Sequence, residues 1–154
     1  MPTQCSCFTM NAKDENPMIS AYEKVGGVVW IPRMLGKIRL RAAGKLPADF
    51  HANLGKGFDA RCVRFLGISY DALVERVLKG GTDEEIFAWI TENGSKPTAD
   101  QIQIWNEYMI KRGWRDTDSP PGKLQEHKEK SGLGKREDIL TFFDYYDVDE
   151  GRKP

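Results

Sequence analysis

Apolar residues along this 154-residue chain recur mostly at offsets of three and four, the period of a helix with one buried face. The clearest run is Tyr70, Leu73, Val74, Val77 and Leu78. Ser69 stands where an N-cap belongs, Asp71 suits the first turn, and Gly80-Gly81 stops the helix. Upstream, Phe58, Cys62, Phe65 and Leu66 mark a helix closed by Gly67. Downstream, Thr82 and Glu85 have capping-box spacing before Ile86, Phe87, Trp89 and Ile90, and Gly94 ends that element. Thr98 and Gln101 repeat the spacing before Ile102, Ile104, Trp105, Tyr108 and Met109. Those five are apolar on more than one side, which predicts a central helix ending at Gly113.

The stretch 33–45 reads as another helix, with Pro32 in its first turn, Met34, Leu35, Ile38 and Ala42 on its apolar side, and Gly44 and Pro47 ending it. Val28 to Ile31 is β-branched, but no second strand offers itself, and a lone strand leaves its backbone groups unsatisfied. It is read as an extended lead-in, or an early helical turn, with Trp30 and Ile31 buried. Residues 46–57 form a loop. Residues 114–134 hold Pro120-Pro121, Gly122, Gly132 and Gly134 around LQEHKEK, a solvated helix at best with Leu124 as its apolar anchor. Ile139, Phe142, Phe143 and Tyr146 predict a helix over 136–147 docked on the core. The fold class is all-α: a single compact domain of five to six helices over 21–148. An irregular N-terminal arm (1–20) precedes it, and a loose C-terminal end (149–154) follows.

Composition adds limits. A chain 40% hydrophobic and 30% charged is not disordered throughout. No run approaches the ~20 apolar residues of a membrane helix, and no basic n-region followed by an apolar h-region marks a signal peptide. Three cysteines do not make a disulfide framework, so the expected address is cytoplasmic. Cys5 and Cys7 lie in the arm and, with two histidines in the chain, assemble no zinc set. No metal or cofactor is predicted.

The zero net charge is segmented: residues 24–64 carry nine basic and two acidic side chains, residues 65–110 three and eight. Arg33, Lys37, Arg41 and Lys45 are spaced by four, so they share one broad helix face. That face either receives an anion or is simply solvated or paired with the acidic segment. Gly55-Lys56-Gly57 feeding a helix start is a second anion-receiving candidate, with Lys56, Gly57 and Arg61 named for it. It is not a P-loop. The plainer reading has both glycines at positive φ, Asp59 capping the helix and Phe58 in the core. His51, near Asp49, and Asp59 are weak acid–base candidates, and no nucleophile motif accompanies them. Cys62 is a core thiol, and Trp114 in Gly113-Trp114-Arg115-Asp116 is read as a packed staple.

The segments PRMLGKIRLRAAGKLP (32–47), NLGKGFDARCVRFLG (53–67), GGTDEEI (80–86), IWNEYM (104–109) and the terminal DEGR (149–152) resemble a bacterial family of small helical proteins of unknown function, over about residues 20–152. The resemblance implies a small cytoplasmic helical protein and carries no activity or catalytic residue with it. The functional reading is a non-enzymatic binding or interaction domain whose basic surface receives an anionic small molecule or an acidic protein. The alternatives are a small enzyme acting on a phosphorylated or anionic small molecule, and weak nucleic-acid binding. A pI near 6.7 disfavours nucleic acid. A homodimer is compatible with the broad apolar fifth helix.

Overall fold

The computed structural model describes residues 17–154. The fold is mostly helical, with a two-stranded antiparallel hairpin at its start. Among the described residues there are seven α-helices and one 3₁₀ helix, more than the five to six expected. The strands are β1 (Lys24–Val25) and β2 (Val28–Val29), paired Lys24 to Val29 and Val25 to Val28. Gly26 and Gly27 both take positive φ to make the turn, a conformation glycine adopts without strain. The hairpin corrects the expectation that Val28–Ile31 has no strand to pair with, and the reason is local: the partner strand lies two residues away. Its outer backbone groups are met by α5 (Ala99–Lys111). Asn106 accepts from the Val29 amide at 3.0 Å and donates to the Gly27 carbonyl at 2.8 Å, while the Trp105 indole donates to the Val29 carbonyl at 3.2 Å.

The central helix is α1 (Ile31–Ala42), not α5. Its first eight residues are buried on every side, Arg33 and Lys37 included. α5 buries Trp105 and Met109 but leaves Ile104 69% exposed, so its second apolar side faces water. Ala42, expected on the apolar side of α1, is exposed. Gly36 belongs to this helix because Ile19 lies 2.8 Å from where its Cβ would be.

α2 (Phe58–Leu66), α3 (Tyr70–Leu78) and α4 (Asp83–Asn93) follow the predicted spans closely. Gly67 ends α2 in the left-handed conformation, and Ser69 caps α3 by accepting from the Ala72 amide at 3.1 Å. Thr82 caps α4 through the Glu85 amide, whereas the full reciprocal box forms at Thr98 and Gln101 of α5. Leu78, placed by period on the buried face of α3, is exposed at the helix end. A 3₁₀ helix, Ala48–Asn53, occupies the expected loop.

α6 (Lys123–Lys130) coincides with LQEHKEK. α7 (Phe142–Asp149) starts six residues later than the predicted 136, because Thr141 caps it through the Asp144 amide. Ile139 is buried all the same, in a satellite cluster with Tyr145 and Val148 beside the main core. The C-terminal end, expected loose, is tied down. Glu150 is 4% exposed, the Arg152 and Lys153 amides donate to the Asp147 carbonyl, and the Arg152 guanidinium bonds Asp147 and Glu150.

Candidate functional site

The row of four cations divides at the middle of α1. Arg33 forks onto Glu150 at 2.8 and 2.7 Å, donates to the Ile19 carbonyl, and lies 4.7 Å from the Tyr146 ring centroid. Lys37 donates to both Asp59 oxygens, at 3.0 and 2.9 Å. Both cations are therefore held inside by carboxylates of their own chain, which corrects their place in an anion-receiving face. Their spacing of four follows the helix, and the face it selects points inward. Arg41 and Lys45 do reach the surface.

Asp59 is fully buried. It receives the Trp30 indole at 2.9 Å, the Lys37 ammonium and the Gly55 amide at 3.1 Å. The N-cap of α2 is Gly57, so Asp59 organises the core instead of capping the helix. A fully buried carboxylate whose two oxygens take the indole, the ammonium and the amide has no open face to offer a substrate. Burial of Cys62 pushes its thiol well up and the Asp59 charge adds to that, so Cys62 is an inert core thiol. His51 has an acceptor, the Leu46 carbonyl at 2.8 Å from Nε2, and the Arg41 guanidinium 3.0 Å from Nδ1. Both ring nitrogens face a fixed partner.

Gly55 and Gly57 have φ of 74° and 58°, as the turn requires. The Gly55 amide turns inward to Asp59 and the Lys56 amide to the Asn53 carbonyl at 3.0 Å, so the loop spends these two donors within the chain. Lys56 is exposed. Arg61 leans the other way, 3.4 Å from Asp118 and 5.8 Å from the Tyr108 ring centroid.

Arg61 points toward the turn that carries Trp114. After α5 the chain makes a tight turn at Gly113-Trp114-Arg115-Asp116. The Gly113 amide donates to Asp116 at 2.8 Å, the Trp114 amide to the Lys111 carbonyl, and the Phe142 amide to the Arg112 carbonyl. Gly113 has φ 97°, and a Cβ there would meet Phe142 and Leu124 near 3.1 Å. Arg115 has φ 57°, a costly conformation for a residue with a side chain. Its guanidinium stands 5.6 Å from the Trp114 ring centroid. Trp114 is 48% exposed, which corrects its reading as a packed staple.

Two open grooves share Trp114, Arg115 and Asp116. The first, about 450 Å³, lies toward Tyr108, Lys111, Arg112 and Asp118. Arg112 is buried there, 4.9 Å from the Tyr108 ring centroid and 2.6 Å from Asp118. The hydrogen bond from Arg112 holds the Asp118 carboxyl below its usual range. The second groove, about 470 Å³, runs along Leu124, Lys128, Ile139, Leu140 and Phe142. Lys128 was hidden in a polar segment, but it follows Leu124 by four, so the apolar anchor already marked its face.

Among the described residues no group of three His, Cys, Asp or Glu side chains is arranged to hold a metal ion. Cys5 and Cys7 lie outside the described residues. No described helix is long and apolar enough to cross a membrane. No curated protein matches the chain. Residues 15–152 match the family described as Domain of unknown function (DUF5069), and the chain belongs to that family.

Proposed function

We propose that this member of the DUF5069 family is a non-enzymatic binding domain of the bacterial cytoplasm, and that its ligand is a small anionic molecule seated against Trp114. The placement of Trp114 carries the reading: a half-exposed indole, on a turn with a left-handed Arg115, shared by two open grooves. Strain of this kind persists only where its surroundings enforce it, and it concentrates at ligand clamps. Both volumes fall in the range of small-molecule sites, roughly 300–1,000 Å³. Lys111 is paired with Glu107 at 2.6 Å and Arg61 with Asp118, so among the described residues Arg115 is the cation both grooves share that has no carboxylate at ion-pair distance to offset it. The anion-receiving surface thus moves from α1 to the end of α5. Of the expected acid–base pair, Asp59 is sealed and His51 is engaged at both nitrogens, which favours binding over catalysis.

Native mass spectrometry tests this. The wild-type chain and Trp114→Ala would be incubated at low salt with the low-molecular-mass fraction of a bacterial lysate. The wild type should carry an excess mass of a small anion that the variant lacks. An adduct retained by Trp114→Ala, or a wild-type chain that stays bare, would overturn the reading. The same spectra give the oligomeric state.

A further inference from the structure

Four cations are buried among the described residues: Arg33, Lys37, Arg112 and Lys128. Three have a carboxylate at hydrogen-bond distance. Arg33 has Glu150 at 2.7 Å, Lys37 has Asp59 at 2.9 Å, and Arg112 has Asp118 at 2.6 Å. Lys128 is the exception. Its ammonium has three N–H donors and, among the described residues, a single acceptor, the Ile139 carbonyl at 3.4 Å. A buried charge without a counter-ion is costly.

Among the described residues no carboxylate stands at ion-pair distance from the Lys128 ammonium, and Asp116, on the same groove, is taken by the Gly113 amide and Arg112. Asp138 feels Lys128, but Arg136 grips its carboxylate at 2.7 and 2.6 Å and holds it near a pKa of about 2. Glu137 stands exposed at the groove edge. Lys128 does lie in the last turn of α6, where the helix dipole favours a cation. That softens the cost and leaves two donors unspent. Lys128 also lines the second groove, whose other lining residues include Trp114 and Arg115.

We infer that the second groove is an oxyanion subsite, in which a carboxylate or phosphate group of the ligand docks on the Lys128 ammonium. Arg115 supplies a further positive charge and Trp114 the wall against which the apolar body of the ligand lies. The inference rests on the binding-domain reading for that wall. It adds the chemical class of the ligand's charged group and the residue that receives it.

The test uses three probes that share a phenyl body: phenylacetate, phenyl phosphate and the neutral phenylacetamide. Each is titrated at millimolar concentration into the full chain, followed by the amide and indole N–H shifts of Gly113, Trp114 and Leu140. At least one oxyanion should bind ten times more tightly than the amide, and the stronger of the two names the carboxylate or the phosphate as the preferred group. Lys128→Met should bind all three probes alike. It should melt at or above the wild-type temperature, since it removes an uncompensated buried charge. Equal binding of the three probes by the wild type, no shift with any of them, or a tenfold preference surviving in Lys128→Met would overturn the subsite. The wild-type preference decides even if that variant fails to fold. Trp114→Ala separates the two readings. If it abolishes binding of all three probes while the wild type shows no oxyanion preference, the subsite falls and the binding domain stands. If it changes nothing, the groove reading itself falls.

Discussion

The ammonium of Lys37 and the carboxylate of Asp59 meet at 2.9 Å with almost no water reaching either. Burial lowers the proton affinity of Lys37, and the Asp59 charge opposes that shift. The pair joins α1 to the start of α2, and Asp59 also fixes the Trp30 indole and the Gly55 amide. Trp30 has φ 80°, so the carboxylate helps hold a residue in a conformation its side chain disfavours.

Asp59→Asn keeps an acceptor for Trp30 and leaves Lys37 as an unpaired buried charge. It should cost about 3–5 kcal/mol in denaturant unfolding. Adding Lys37→Met should recover part of that loss, with a coupling of roughly 1 kcal/mol or more in a double-mutant cycle. Additive losses would mean that the pair does not hold the two helices together.

The two glycines of the 55–57 turn should respond differently to alanine. At Gly57 a Cβ meets open space, so only the positive φ counts against it, about 1–3 kcal/mol. At Gly55 a Cβ would also lie 2.7 Å from the Tyr70 ring. Gly55→Ala should therefore be the more destabilising of the two in thermal melts. The reverse order would contradict the packing of the turn on α3.

Acid sensitivity should be traceable to Asp144. Desolvation pushes its carboxyl up, but hydrogen bonds from Tyr22, at 2.6 Å, and Lys153 outweigh that and hold it below 3.8. A carboxyl depressed in the folded state contributes stability that is present above its unfolded value and is lost as pH falls through the folded one. Tyr22→Phe keeps the ring against Phe143 and removes the donor. Its deficit relative to wild type should be full at pH above 3.8 and shrink below it, read as the difference in melting temperature across pH.

Trp114→Ala should change folding stability by no more than about 0.5 kcal/mol, as for a surface substitution. Its amide, which bonds the Lys111 carbonyl, is retained, and half its side chain is already in water. A large loss of stability would identify the indole as a packing element.

Helix positions were legible because their stop and start signals are local. Ser69, Thr82, Thr98 and Gly67 each act within four residues. Burial of α1 was not, because Arg33 and Lys37 look the same in sequence whether they face water or a carboxylate far along the chain. Glu150 is 117 positions from Arg33, and no spacing rule links them. The hairpin escaped because its strands are two residues each, too short for an alternating pattern. The start of α7 was misplaced because Ile139 has the helical phase without the helix, reaching its cluster from an irregular stretch before Thr141. Of the candidate site, the Gly-Trp-Arg-Asp turn and the Leu124 face were visible. The exposure of Trp114 and the missing counter-ion of Lys128 are properties of the packed molecule.

Arg152 donates to the Met18 carbonyl at 2.8 Å and so brings together two points 134 positions apart. The chain therefore comes in and goes out through one doorway. A short peptide joining residue 152 to residue 18 would close the fold into a ring without moving a helix, and that ring could be reopened at an exposed loop tip such as Gly80-Gly81. In architectural terms the domain is a bead that can be hung from a single point of another chain, its grooves still carried by the turn after α5.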